Sequence, residues 1–425
     1  MAKLAINGGT PVRKKGYPPW PQYSEREIEL LIEVLRSRKW FAGARGGDRD
    51  SFVTRFGQEF AIYHGAKYGL PVMNCSIALE LALKALGIGP GDEVIVPSIT
   101  FISTATSVAQ INAIPVFVDV EEKSYCMDPD SFENAITLRT KAVIPVHFGG
   151  QVANMKRIME IAKKHNVAVI EDVAQAIGAK RWGCFGGTFG DCGCFSFQSN
   201  KTVTSGEGGL ILTNADDLAE KIISLRSFGR REEGGEGSLL SALQSWELSS
   251  NYRMTEFQAA ILLAQFERYQ EQDKIRQRNA RYLRSLLEEI PGLRHVIDDE
   301  GLDRHGYYYF LVRYEPDEYA NIAVDLLVDA LKAEGIPCQK LETPIYKHPV
   351  FLKNNWPKKG CPFACPHYDK EFSVDNLCLP ASEKASMFTI VIRHQVLLSE
   401  REDIEDIAYA FEKIRKNKNE LEKIF

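Results

Sequence analysis

The chain has 425 residues, 44% of them hydrophobic and 26% charged, which is length for two or three domains and a composition that excludes a disordered or membrane-embedded protein. With 52 Lys and Arg against 57 Asp and Glu the net charge is -5, so there is no basic field to attract nucleic acid or an anionic membrane. The nine cysteines are odd in number and scattered without framework spacing, which reads as reduced thiols. The opening MAKLAINGGTPVRKKGYPPW lacks the apolar core of a signal peptide, and no run of 18 apolar residues occurs; a cytoplasmic protein is expected.

Residues 1 to 22, ending in Pro18, Pro19, Trp20 and Pro21, read as an extended arm. A helix is expected from Ser24, which forms a capping box with Glu27, and its apolar face is Ile28, Leu31, Ile32 and Leu35. From about 65 to 215 short apolar runs alternate with amphipathic stretches: Val94 to Val96, Val116 to Val118, Ala142 to Val146, Val167 to Ile170, Cys194 to Phe197 and Leu210 to Leu212. Runs apolar on both faces suit strands buried between helix layers, so an α/β fold with a mostly parallel sheet is predicted. GRREEGGEGS, 229 to 238, reads as a mobile loop. A long helix is expected from the capping box Thr255 and Gln258 to about Glu289, leading to a smaller α/β unit with a strand at Tyr307 to Tyr314, a helix at 324 to 334, a Pro and Cys-rich loop at 356 to 368 and a closing helix from Ser399. The charged tail after Arg415 reads as a solvated helix end. The expected division is an arm and helix over 1–50, a large domain over 51–280 and a small domain over 281–425.

In such sheets ligands sit at the carboxyl ends of the strands, which selects three segments. Asn74-Cys75-Ser76 opens a helix whose N-terminus suits a phosphate, although a plain Ser cap is the simpler reading. Glu171-Asp172 ends VAVI, with Gln175 just beyond; an acid there can face a cationic nitrogen or merely cap the next helix. In CFSFQSNKTVTSGEGG a buried strand carries Ser196 and Lys201 lies in a Ser, Thr and Gly-rich loop, placed to form a Schiff base with a carbonyl or to sit in solvent. Lys201 precedes the glycines, so this is no Walker A loop. A phosphate seat, an acid for a pyridinium nitrogen and an imine-forming lysine together are what pyridoxal 5'-phosphate (PLP) requires. Cys361, Cys365 and His367 match no usual zinc spacing, and no GxGxxG stands where a nicotinamide enzyme needs it. The aromatic run Tyr307 to Phe310 reads as a packed strand, with the lining of a pocket as the lesser alternative.

The ordered segments NCSIALELALKALGIGPGDEVIVPSITFIST, PVHFGG, EDVAQAIGA, SFQSNKTVTSGEGG and NYRMTEFQAA resemble the DegT/DnrJ/EryC1/StrS sugar aminotransferases, which are fold type I PLP enzymes. YPPWPQY, SFQSNK and RHQVLL are similar to the branch that contains L-glutamine:scyllo-inosose aminotransferases and 3-amino-5-hydroxybenzoate synthases. The resemblance implies Lys201 as the Schiff-base lysine, Asp172 at the pyridine nitrogen, Gln175 on the cofactor and Phe101 stacked on the ring. It also implies Ser76, the Ile77 backbone and Ser196 at the phosphate, and Asn251 reaching the phosphate of a neighbouring subunit in a homodimer with shared sites. Two departures stand out: Cys75 where relatives often have Gly, and Gly149 in place of a Tyr, which bears on substrate choice; His147 is a candidate for the sugar side or a structural residue.

The implied activity moves an amino group from L-glutamine or L-glutamate to a keto-sugar or keto-cyclitol, such as scyllo-inosose or a nucleotide-linked keto-sugar. Alternatives are aromatisation of an aminodehydroquinate and a PLP-binding sensor without turnover. A related dehydratase is disfavoured because Lys201 stands where that branch carries His.

Overall fold

The computed structural model describes residues 3–42, 50–230, 245, 247–352, 355 and 360–421, so most of the loop expected at 229 to 238 lies outside the described residues. The capping box at Ser24 forms, with the Ser24 N–H donating to Glu27 Oε2 at 3.0 Å, and starts α1 (Glu25–Ser37). The face expected to be buried is turned outward. Ile28, Ile32 and Leu35 are 39%, 40% and 53% exposed, whereas Glu27, Leu30 and Val34 face inward. The physical reason is Glu27, whose carboxylate takes hydrogen bonds from Gln265 and Arg268 and rotates α1 onto the long helix that carries them.

The short apolar runs become strands β1 (Tyr68–Val72), β2 (Glu93–Pro97), β3 (Ile114–Val118), β4 (Thr140–Val143), β5 (Ala168–Asp172), β8 (Cys192–Ser196) and β9 (Gly209–Thr213); β6 (Lys180–Arg181) and β7 (Cys184–Phe185) form a hairpin between them. The seven-stranded sheet has the order β3-β2-β4-β5-β8-β9-β1, parallel except that β9 runs antiparallel to both neighbours. Because both faces are covered, its strands have no polar side, as the runs implied. On one face pack α2 (Phe52–His64), α6 (Met155–His165) and the first half of α8 (Glu256–Glu288); on the other pack α3 (Cys75–Ala85), α4 (Ser103–Gln110) and α7 (Asp216–Arg226). The short α5 (Pro129–Ala135) precedes β4.

The second half of α8 contributes Ala280, Leu283 and Leu287 to a separate apolar cluster. That cluster covers an antiparallel sheet of order β10-β12-β14-β13, formed by β10 (Leu293–His295), β12 (Tyr309–Tyr314), β13 (Cys338–Lys340) and β14 (Thr389–Arg393). β11 (Leu302–Arg304) joins the β6–β7 hairpin, while α9 (Val324–Ala333) and α11 (Arg401–Lys416) pack on the small sheet and α10 (Pro380–Phe388) leads into β14. Two expectations are corrected here. Cys361 and Cys365 are joined as a disulfide, so not every thiol is free. The tail is not simply solvated: Leu421 is fully buried, and Glu420 Oε2 accepts from the Leu4 N–H at 3.1 Å, because the arm and the chain end share the small unit's core. Among the described residues no helix is long and apolar enough to cross a membrane.

Candidate active site

Strand alternation at the end of β5 sends two neighbouring acids to opposite sides of the sheet. Glu171 is fully buried and takes N–H groups from Gly187, Phe189 and Gly190, each at 2.8 Å, along with His147 Nε2 at 2.8 Å. His147 Nδ1 accepts from the Ala153 N–H at 3.2 Å, so Nε2 carries the proton. His147 is therefore a structural residue and does not line the cavity. Asp172 faces the cavity instead. Its Oδ2 accepts from Thr104 Oγ1 at 2.8 Å and its Oδ1 from the Ala174 N–H at 3.0 Å. Burial pushes its carboxyl pKa up, against the pull of those hydrogen bonds and of the Lys201 charge.

Lys201 sits in the loop joining β8 to β9, drawn tight by Phe197 N–H to Gly208 O at 2.9 Å and Ser199 N–H to Gly206 O at 2.9 Å. Its Nζ lies 4.2 Å from the centroid of the Tyr308 ring. The first turn of α3 forms another wall. Its cap is Asn74, whose Oδ1 accepts the Ile77 N–H at 2.9 Å, and not Ser76, which is left inside the helix facing the cavity. An Ala at Gly209 would place its Cβ 2.4 Å from the Asn74 carbonyl carbon, so a side chain there would displace this turn.

The cavity measures about 490 Å3 and gathers Ser76, Phe101, Asp172, Gln175, Ser196 and Lys201, all expected from sequence. Phe101 is 58% exposed within it. Gln175 Oε1 accepts the Gly149 N–H at 2.7 Å, so Gly149 serves as a backbone donor to a cavity residue. Ile77 and Asn251 do not line the cavity: the Ile77 amide is committed to Asn74, and Asn251 is exposed beside Arg253, whose N–H it accepts at 3.3 Å. Cys75 lines the turn, and burial raises its thiol pKa well above the usual range, which keeps it a neutral thiol.

The small sheet supplies a further wall, of which only the aromatic run was a sequence candidate, and a lesser one. Tyr309, Gln339 and Arg393 reach the cavity from β12, β13 and β14, and Tyr308 from just before β12; the Arg393 guanidinium donates to Gln339 Oε1 at 2.9 and 3.3 Å. Tyr308 and Tyr309 fall in the run read as packed strand. Gln198 and Asn200 also line it, and SFQSNK already placed them beside Lys201. An amine, a buried carboxylate and a helix N-terminus thus converge on one space, able to hold an anion, a cationic ring nitrogen and a carbonyl carbon at once.

A model of the DegT/DnrJ/EryC1/StrS aminotransferase family matches residues 21–406. The chain is 35% identical over 423 residues to an L-glutamine:2-deoxy-scyllo-inosose aminotransferase of Streptoalloteichus tenebrarius, covering 98% of this chain and 99% of that one. It is likewise 35% identical over 425 residues to the enzyme of the same description from Streptomyces fradiae, covering 99% of each. Among solved structures, 3-amino-5-hydroxybenzoic acid synthase matches at a TM-score of 0.83 and 31% identity over 95% of this chain and 100% of that one. An aminotransferase from Psychrobacter cryohalolentis matches at 0.81 and 28% identity over 94% and 99%.

Proposed function

Because the chain belongs to the DegT/DnrJ/EryC1/StrS aminotransferase family, we propose that it transfers an amino group from L-glutamine or L-glutamate to a keto-cyclitol or keto-sugar, using PLP. The observation that carries this reading is the Lys201 amine and the buried Asp172 carboxylate facing one cavity. The residues present fit the cofactor. Asp172 would meet the pyridine nitrogen, Phe101 would cover the ring and Gln175 would contact its edge, while Ser76 and Ser196, more than the committed Ile77 amide, would seat the phosphate. When bound, PLP supplies an electron-poor ring that accepts the charge left when a proton leaves a carbon beside its imine nitrogen. Lys201, freed when the donor's amine takes its place, would accept that proton from the donor's α-carbon and return it one position along. After the keto acid has left and the keto acceptor has entered, Lys201 would move a proton the opposite way.

Named relatives act on scyllo-inosose derivatives with L-glutamine as donor, which favours a carbocyclic ketone as acceptor. We read the assembly as a homodimer in which Asn251 serves the partner's cavity. Support comes from the outward apolar face of α1 and from Trp40 and Phe41, 52% and 53% exposed, with Phe41 under the Arg253 guanidinium. The change of core along α8 supports a domain division near residue 280. Seven unpaired cysteines favour a cytoplasmic location.

The test is the visible spectrum of the protein with PLP, with Lys201→Ala as control, before and after L-glutamine or L-glutamate, followed by product analysis with 2-deoxy-scyllo-inosose. A lysine-dependent band that bleaches with a donor, and an aminated cyclitol, are expected. A band indifferent to both donors would make the protein a PLP-binding sensor. The match to 3-amino-5-hydroxybenzoic acid synthase favours aromatisation of an aminodehydroquinate as the second reading, recognised by an aromatic chromophore with that substrate.

A further inference from the structure

Tyr308 is 8% exposed and presents its ring face to Lys201, with Nζ 4.2 Å from the ring centroid. Nothing about the fold of the lysine loop requires this contact, since that loop is closed by its own backbone hydrogen bonds. Tyr308 comes from the start of the small sheet, more than a hundred positions further along the chain, and is held on three sides. Tyr309 packs on it with ring centroids 4.3 Å apart, the Tyr308 carbonyl accepts the His394 N–H at 3.2 Å, and the His394 ring lies 6.2 Å from its own. His394 reaches back to the lysine loop: its Nε2–H donates to the Asn200 carbonyl at 3.0 Å, beside Lys201. One pair of neighbouring residues on the small sheet therefore fixes both the backbone and the amine of Lys201.

We propose that the face of Tyr308 is a seat for the ammonium form of Lys201, which makes Tyr308 a positioning residue of the reaction. A cation within about 6 Å of an aromatic centroid is attracted by the negative ring face, and more strongly where water is excluded. This rests on Lys201 being the reactive amine. In the proposed reaction Lys201 becomes an ammonium when its lone pair takes the donor's α-proton: the C–H bond breaks, the N–H bond forms and the carbon's electron pair passes into the cofactor. At that moment the side chain has no covalent anchor. A ring face attracts its charge without accepting a proton, whereas a carboxylate in the same place would compete as a base. The charged groups around the cavity, Asp172 from β5, Glu207 in the lysine loop, Arg393 of β14 and Glu342 beyond β13, act from its other walls.

The experiment replaces residue 308 by phenylalanine and by its 4-fluoro, 3,5-difluoro and pentafluoro analogues, which keep the shape while draining the ring face of negative charge. The PLP-free enzyme is labelled with limiting acetic anhydride at fixed neutral pH, and the acylation rate of the Lys201 peptide is read by mass spectrometry against other lysines. Only the uncharged amine reacts, so a weaker seat means faster labelling. Tyr308→Phe should label as wild type does, and the rate should climb with each fluorination to about two- to tenfold at pentafluorophenylalanine. A flat series overturns the proposal, and so does a jump already complete at phenylalanine, which would assign the effect to the hydroxyl. Because the label needs neither PLP nor turnover, the outcome is independent of the functional reading; that reading fails separately if wild-type protein and Lys201→Ala give the same spectrum with PLP.

Discussion

Asp172 works only as an anion if it is to hold a pyridine nitrogen protonated, yet burial drives it toward the neutral acid. The Thr104 hydroxyl at 2.8 Å is one of the groups that oppose this, and it is itself held by Thr100 Oγ1 at 2.8 Å. Thr104→Val removes a hydrogen bond made to the charged form, so the already raised pKa rises further and ionisation is lost at a higher pH. The acid limb of kcat/KM should move up by about one pH unit, with Thr104→Ser restoring it; steady-state profiles between pH 5 and 8 check this. Its neighbour Glu171 has a different task. With four donors converging on one buried carboxylate, Glu171→Gln brings an NH2 group against N–H donors. A loss of about 2–4 kcal/mol of stability is expected, read as a shift in denaturant midpoint without change in slope.

At the scale of elements the active site depends on close approach. β9 begins at Gly209 directly behind the cap of α3, so Gly209→Ala must push the first turn of that helix by the overlap its Cβ would create. The expected result is about 1–3 kcal/mol of destabilisation together with weaker PLP binding, measured by thermal melts and by absorbance titration of the cofactor. The elements themselves were readable from the sequence because buried parallel strands are apolar on both faces and because Thr255 and Ser24 announce their helices. Asp172 and Lys201 were readable too, as polar residues at or beyond the ends of such strands, whereas Ser196 entered through the family resemblance. Gln339 and Arg393 were not, and Tyr308 was only the lesser reading of an aromatic run, since no local pattern says which cavity a small antiparallel sheet will close. The outward face of α1 was misread for a related reason: apolar spacing marks a face but not its partner, and the buried Glu27 with its tie to Arg268 decided which side turned inward.

For the whole molecule the exposed stripe on α1 is the feature a lone chain leaves unexplained. If it is part of a homodimer interface, Ile28→Asp with Leu35→Asp should yield a monomer by light scattering, and that monomer should lose activity because Asn251 no longer reaches a second cavity. A dimer that persists would place the interface elsewhere.

The arm and the chain end are also tied across great distance. Arg13 Nη1 donates to Asp403 Oδ1 at 2.6 Å across 390 positions, and the Ala5 N–H donates to Glu334, which also holds Lys413. During synthesis at about 5–20 residues per second, Arg13 therefore waits on the order of tens of seconds for its partner 390 positions later to be made. The seven-stranded sheet, complete by Thr213, has all its strands well before then. The small unit closes last, and with it come Tyr308 and His394, so a nascent chain would own its lysine loop long before that lysine is held in place.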